Sequence, residues 1–465
     1  MGFRKEKDSM GEMNIPQDKL YGASTQRAVE NFPISSLRFS SRFIRVFAWV
    51  KEACAQANLE LGLLEKNLAN AILKACREIE TGKYDSHFVV DVFQTGSGTS
   101  TNMNFNEVAA NLANLELGSK VGSHQPVHPN DHVNLGQSSN DVFPTVIHVA
   151  AALGLVERLL PALESLESSL HKKAKEFEKV VKVGRTHLQD ATPLLLGQEF
   201  SGYAEQVKKS VGRVKQSLPS ILELAIGGTA VGTGINTHPE FGKRVTAHLS
   251  KKLNLVFKEA PNHFEAQAAK DGCLEMSGAL KTVAVSLTKI SNDIRWLSCG
   301  PRAGLGELIL PETQPGSSIM PGKVNPVIAE AILQVGAKVI GNDTTITWGA
   351  ASGNFELNTM MPLIAHCLLE SIEILANGIE TFDKLCLKGI QANKKRIDQL
   401  LENNLMLATP LAVIVGYDKA AEVAKKAHQE NKSIREVAQE LLAIPEKQLA
   451  EILDPSKMVR SQKKK

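Results

Sequence analysis

An apolar seam near the middle of the chain most limits how it can fold. Met276, Leu280, Val283, Leu287, Ile290, Ile294 and Leu297 follow one another at steps of 4, 3, 4, 3, 4 and 3. That spacing puts all seven side chains on one side of an α-helix and asks for a partner helix at a shallow, coiled-coil-like angle. The surrounding sequence, from about 142 to 395, reads as more long helices. Leu153, Val156, Leu160, Leu163, Leu170 and Phe177 keep an approximate seven-residue register, which Pro161 interrupts and is expected to kink. Further helices are expected at roughly 198–225, 326–349 and 355–386. Their apolar residues exceed one narrow stripe, so they want neighbours on several sides. One bundle of five helices does not supply them all, and several chains are expected to pack their bundles together.

Smaller elements flank this region. Residues 1–137 read as a mixed, mostly helical domain, with a short extended entry at 11–16 and a helix pair over 41–80. The central long-helix bundle is placed at 138–395. Residues 396–465 read as a small helical domain, with helices over 419–431, 434–442 and 446–452. The low aromatic content, 5%, favours helix over sheet. With 53 basic and 50 acidic residues, the net charge of +3 argues against a nucleic-acid partner. The tail Lys463-Lys464-Lys465 reads as a solvated end. Six cysteines without a CxxC pair argue against zinc or redox motifs and for free buried thiols. The N-terminus lacks an apolar core for secretion, and no window reads as a membrane span. A cytoplasmic location is therefore expected.

The polar residues collect in loops between the helices. Gly316-Ser317-Ser318-Ile319-Met320-Pro321-Gly322-Lys323-Val324-Asn325-Pro326 has too many prolines and glycines for a helix and exceeds a simple turn. Its hydroxyls, ammonium and carboxamide suit an anionic small molecule, while Ile319, Met320 and Val324 are expected to pack it down. A plain helix connection is the alternative. The run from Asp91 to Asn102, with Ser97, Gly98 and Thr99, reads as a loop feeding a helix, where unpaired N–H groups favour an anion. Taken by itself, a simple cap by Thr99, Ser100 or Thr101 is the preferred reading, because caps are ubiquitous. Ser138-Ser139-Asn140-Asp141 reads as a helix start. His128-Pro129-Asn130-Asp131-His132 reads as a hydrogen-bonded turn rather than a metal site. Gly184 to Pro193 joins two helices and contains Thr186 and His187. Gly227 to Gly234 follows a helix rather than a strand, which excludes a dinucleotide loop and leaves an irregular turn.

In combination, GSSIMPGKVNP at 316–326, the stretch at 184–193 and Ser138–Asp141 resemble the fumarase/aspartase superfamily, along essentially the whole chain. GRTHLQDATP at 184–193, with His187 where aspartases typically carry Gln, is nearer the class II fumarases, as are ASGNFELN at 351–358 and GYDKAA at 416–421. The resemblance implies a mainly α, three-domain fold with a central five-helix bundle. It also implies a homotetramer with a twenty-helix core and active sites built from three chains. The implied reaction is reversible loss of water from malate, a small dicarboxylate, without cofactor or metal. Aspartate ammonia-lyase, or a catalytically silent structural protein on the same fold, are the rival readings.

The resemblance also implies roles. Ser317 takes the carbon-bound proton, with Lys323 stabilising charge. His187, paired with Glu330, acts through water on the oxygen side. Ser97, Gly98, Thr99, Ser138, Ser139, Asn140, Thr186, Ser318, Val324 and Asn325 hold the two carboxylates. A second dicarboxylate site is implied at His128, Pro129, Asn130 and Asp131. There, Gln125 and Pro126 stand where family members often carry basic side chains, and His132 stands where a second aspartate is common.

Overall fold

The structure, a computed structural model, describes residues 2–460, and the basic tail Lys463-Lys464-Lys465 lies outside them. The chain divides into two compact units. One comprises Met1–Leu160, Gly212–Thr282 and Ala337–Leu375; the other comprises Pro161–Val211, Val283–Gly336 and Ala376–Lys465.

The first unit opens with an antiparallel hairpin, Phe3–Asp8 against Gly11–Pro16. The expected extended entry thus has a strand partner. Its turn is closed by the Met10 N–H donating to Asp8 Oδ1 at 2.8 Å, the local bond that suits Asp to turns. The expected helix pair is Ser41–Glu60 and Lys66–Glu80, followed by Thr99–Glu116. Their core is aromatic. Phe47 stacks on Phe105 with centroids 5.1 Å apart, and Phe43 meets Phe143 at 5.7 Å. Two glycines let the loop before Thr99 sit against this core. A Cβ on Gly96 would fall 1.8 Å from the Thr359 carbonyl oxygen. One on Gly98, whose φ is +75°, would fall 2.3 Å from the Phe143 ring.

Five long helices follow: Ser139–Glu176, Leu196–Ile221, Asp271–Leu297, Val327–Ala350 and Met361–Leu385. Pro161 does disturb the first: a π-helical turn, Leu155–Leu159, immediately precedes the turn that holds it. Proline has no N–H to donate and its ring crowds the carbonyl four residues back, so the ladder widens there. The last helix starts at Met361 rather than near 355, because Gly353–Asn354 and Leu357–Asn358 pair as a small hairpin.

All seven seam residues, Met276 to Leu297, are buried. Within the first unit, Ser277 donates to Asp343 Oδ1 at 2.8 Å. Within the second, a Cβ on Gly336 would lie 2.4 Å from Thr288 Oγ1. As one residue number rises the other falls, so Asp271–Leu297 and Val327–Ala350 run antiparallel. Ser220 with Glu275 and Tyr203 with Asp293 give the same sense for Leu196–Ile221 against Asp271–Leu297. Ser139–Glu176 runs parallel to Met361–Leu385. Gly154 abuts Ile372 in the first unit, and Ser165 donates to Asp383 in the second.

Contrary to the sequence reading, two helices, Ser139–Glu176 and Met361–Gly389, are long and apolar enough to cross a membrane. Their apolar faces are largely taken up in packing: 72% and 56% of the most apolar windows are buried.

The second unit contains a further difference. The stretch expected to be a loop between helices is a hairpin, Val181–Thr186 against Gln189–Leu195. Its first strand is anchored by ions. Glu307, fully buried, accepts from Arg185 at 3.0 and 3.1 Å and lies 3.3 Å from buried Lys182, which also pairs with Glu199. The C-terminal helices Tyr417–Glu430, Ile434–Leu441 and Glu446–Ile452 pack around Leu411, Val423, Val437 and Leu449.

Removing one member of a buried ion cluster leaves the others uncompensated. Glu307→Ala is therefore expected to lower stability by roughly 3–5 kcal/mol. A fall in the urea unfolding midpoint with unchanged slope would register it.

Candidate active site

In the first unit two helix N-termini meet. Thr99–Glu116 starts from Gly98 without a side-chain cap, so the simple-cap reading of Thr99, Ser100 or Thr101 does not hold. Those hydroxyls are used elsewhere: Ser97 Oγ lies 2.7 Å from Thr99 Oγ1, Thr95 Oγ1 lies 2.9 Å from Ser100 Oγ, and Thr101 bonds Gln94. Ser139–Gly154 starts at Ser138 with a reciprocal capping box, in which Ser138 N donates to Asp141 Oδ1 at 2.9 Å. Asn102 Nδ2 donates to Ser139 Oγ at 2.8 Å and ties the two starts together. Asn140 Nδ2 donates to the Ala230 carbonyl at 2.7 Å.

Asp141 shapes this cluster. Its second oxygen accepts from Gly227 N and Thr229 N at 3.1 and 2.9 Å, so the glycine stretch is an irregular turn wrapped on a buried carboxylate. Burial pushes its pKa up, and the three backbone donors and Lys51 oppose that. The segment with Ser97, Gly98 and Thr99 thus abuts the one with Ser138, Ser139 and Asn140, through Asn102 on Ser139 and Gly98 against the Phe143 ring. The first turns of two helices, hydroxyls and an amide present donors to one region, a combination suited to a carboxylate.

In the second unit the loop at 316–326 is closed at its base. Gly316 N donates to Lys323 O, and Asn325 Nδ2 to Gly316 O, each at 2.7 Å. Inside it, Ser317 Oγ accepts two backbone N–H groups, from Ile319 at 3.2 Å and Met320 at 3.0 Å. The apolar residues do not pack the loop down as expected. Ile319 is 84% exposed, Met320 48% and Val324 40%. The loop is held by its own hydrogen bonds, and within this one chain those side chains face outward. Lys323, Val324, Asn325 and Glu330 line a cavity of about 640 Å³ with Arg295, Trp296 and Cys299. Ser317, Ser318, Thr186 and His187 are not among its lining residues.

Thr186 and His187 stand exposed at the tip of the hairpin in the same unit. His187 has φ +56° and Leu188 φ +61°. A two-residue hairpin turn of type I′ has positive φ at both positions and normally uses Asn and Gly. A histidine and a leucine there are held against their steric preference, a kind of strain that collects at functional sites.

The stretch from His128 is a turn, as expected. His128 Nδ1 accepts from Asn130 N and Asp131 N, both at 3.2 Å, and His132 Nδ1 accepts from His128 N at 2.8 Å. Pro129 occupies the first position of one π-helical turn, where a missing N–H costs nothing. Among the described residues no group of three or more His, Cys, Asp or Glu could hold a metal ion. The six cysteines are free, five of them buried.

Sequence reasoning gave no site role to Lys51, Asn102, Asn134 or Asp141, whose side chains bond to the first cluster or to one another. One signal was available. Phe43, Phe47 and Lys51 step by four along the face of Ser41–Glu60 that Cys54 and Asn58 continue, so Lys51 falls on the buried side.

The chain is similar to known proteins along nearly its whole length. Residues 11–341 match the model of a lyase family, and residues 407–460 match that of the fumarase C C-terminus. The chain is 52% identical to the class II fumarate hydratase of Nitrosomonas europaea, over 98% of this chain and 99% of that one. It is 51% identical to the mitochondrial fumarate hydratase of Danio rerio, over 98% and 90%. Its fold is similar to the crystal structure of the class II fumarase of Schistosoma mansoni, with a TM-score of 0.95 at 40% identity over 98% and 99% of the two chains. Two helix starts rich in donors, a serine-bearing loop and likeness along the full length lead to one assignment: the chain belongs to the class II fumarase family of lyases.

Proposed function

We propose that the chain interconverts (S)-malate with fumarate and water by general acid–base elimination. Ser317 removes the proton from the carbon beside one carboxylate, the electron pair forms the double bond, and the C–O bond on the neighbouring carbon breaks. The departing hydroxide takes a proton on the side of His187, through water, and leaves as water. His187 is oriented by Glu330. Lys323 balances the charge that builds on the carboxylate beside the forming carbanion, usually the largest catalytic term. Ser97, Gly98, Thr99, Ser138, Ser139, Asn140, Thr186, Ser318, Val324 and Asn325 hold the two carboxylates in register, which contributes through orientation.

The observation that carries this reading is at Ser317. A serine is a weak base until its alkoxide is favoured. Two backbone N–H groups already point at its oxygen, and hydrogen bonds to the charged form favour it.

The proposal includes a homotetramer in which each active site draws on three chains, with 138–395 forming a twenty-helix core between 1–137 and 396–465. Val285, Trp296, Ile340 and Trp348 support it: each is 40% exposed or more, on helices otherwise built for burial. Exposed His187 and Ile319 suit surfaces that neighbouring chains complete. A second dicarboxylate site at His128–Asp131 has less support, because His128 already occupies the amides of Asn130 and Asp131. A cytoplasmic location accompanies the proposal.

Purified protein given malate should form fumarate, and given aspartate should release no ammonia; the reverse result would favour the aspartase reading. Ser317→Ala should keep the oligomer and lose at least roughly a hundredfold in kcat, the low end for loss of a general base. Near-normal turnover in that variant would remove Ser317 from the mechanism. Leu188→Gly should relieve the turn and raise stability by about 1 kcal/mol. Its looser tip should lower kcat, and thermal melts with steady-state rates would report both effects.

A further inference from the structure

Lys51 sits in the interior of the first unit, 1% exposed, on the helix Ser41–Glu60. Its Nζ donates to Asn134 Oδ1 at 2.9 Å and Gln137 Oε1 at 3.0 Å. Both acceptors are neutral amides. A buried ammonium whose hydrogen-bond partners are all neutral is costly, and the buried Asp141 carboxyl acts on it without bonding to it. Burial pulls its pKa down to about 8, opposed by Asp141, Cys54 and Cys76, which leaves it cationic at neutral pH.

The hydrogen bonds beyond Lys51 lead to the cluster of helix starts. Asn134 Oδ1 also accepts from Asn102 Nδ2 and Asn106 Nδ2, each at 3.2 Å. Asn102 Nδ2 in turn donates to Ser139 Oγ at 2.8 Å. The direction of this chain is set at one end. An ammonium can only donate, so Asn134 must turn its oxygen toward Lys51. Asn102 must then present its NH2 group to that oxygen. The same NH2 group supplies a hydrogen to Ser139, whose oxygen accepts it. Ser139 is left with its own O–H free to donate outward. With Asn102 reversed, Ser139 would spend its proton inward and turn a lone pair toward any incoming carboxylate.

We propose that Lys51 is a positioning residue for the carboxylate site, acting through Asn134 and Asn102 to fix Ser139 as an outward hydrogen-bond donor. The inference rests on the reading of Ser139 as a ligand of the substrate carboxylate. Gln137 adds a second route. It precedes the Ser138 cap directly, and Lys51 pins its side chain, so the turn that delivers Ser138 and Ser139 is held by the same ammonium.

The test is a double-mutant cycle on Lys51→Met and Ser139→Ala, read as KM and kcat for malate. Lys51→Met is expected to raise KM roughly tenfold, the scale of a hydrogen bond to a charged group, with a smaller change in kcat. In the double variant KM should rise no further than in Ser139→Ala alone, because coupled groups are non-additive. A merely structural lysine would instead change KM additively or not at all. If Ser139→Ala raises KM and Lys51→Met leaves it within about twofold of the parent, the role of Lys51 is overturned while the reading of Ser139 stands. If Ser139→Ala leaves KM unmoved, both fall. Should Lys51→Met fail to fold, Asn102→Ala takes its place in the cycle, with the same expected non-additivity and the same disproof.

Discussion

Burial of the seam from Met276 to Leu297 keeps one long helix fixed between two antiparallel neighbours, and the loops that carry polar chemistry leave from the ends of such helices. Seven large apolar side chains at roughly 1.5–3 kcal/mol each give a gross stabilisation of about 10–20 kcal/mol. That is comparable with the whole net stability of an ordinary domain, roughly 5–15 kcal/mol. The helices can therefore hold irregular ends that contribute little themselves. Ser139–Glu176 begins with a capping box and a polar cluster; Val327–Ala350 follows directly on the serine-bearing loop. The rigid element supplies position, and the loop supplies donors.

Buried charge is handled in two different ways. Glu307 is surrounded by cations, so the hairpin bearing His187 is held by mutual neutralisation. Glu107, buried in the first unit, accepts from the backbone of Gly22, Ser24 and Thr25 and from the Thr25 hydroxyl, capping the helix Ala23–Asn31. These arrangements are closed: each charge has its partners within the unit. Lys51, like Glu107, is held by neutral groups, but its hydrogen bonds run on through Asn134 and Asn102 to Ser139.

The seam was legible because heptad spacing survives in a single sequence, and so were the three C-terminal helices, whose boundaries moved by only a few residues. The hairpin at 181–195 was hidden. Its turn residues are His187 and Leu188, and neither carries the Asn or Gly signature that positive φ normally demands. The first hairpin was hidden for a related reason: strand 3–8 is mostly charged, and its pairing partner, rather than an apolar alternation, makes it a strand. The two helices long and apolar enough for a span escaped the sequence reading; a core helix packed on several sides can share that composition. At the candidate site, motif resemblance picked out Ser317 and Ser139. The amides converging on Ser317 and the chain behind Ser139 are matters of backbone direction and side-chain polarity, which residue identities do not encode.

The placement of positive potential around Ser138–Asn140 bears on how the site meets its solvent. Within the first unit, the first turns of two helices and the buried Lys51 ammonium contribute to it, and the buried Asp141 carboxyl offsets part of it. Mobile ions screen charges they can approach, over about 8 Å at physiological ionic strength, and reach a buried one far less. In the proposed site, the share of any attraction for an anion that comes from the buried ammonium accordingly responds less to added salt than an exposed lysine's would.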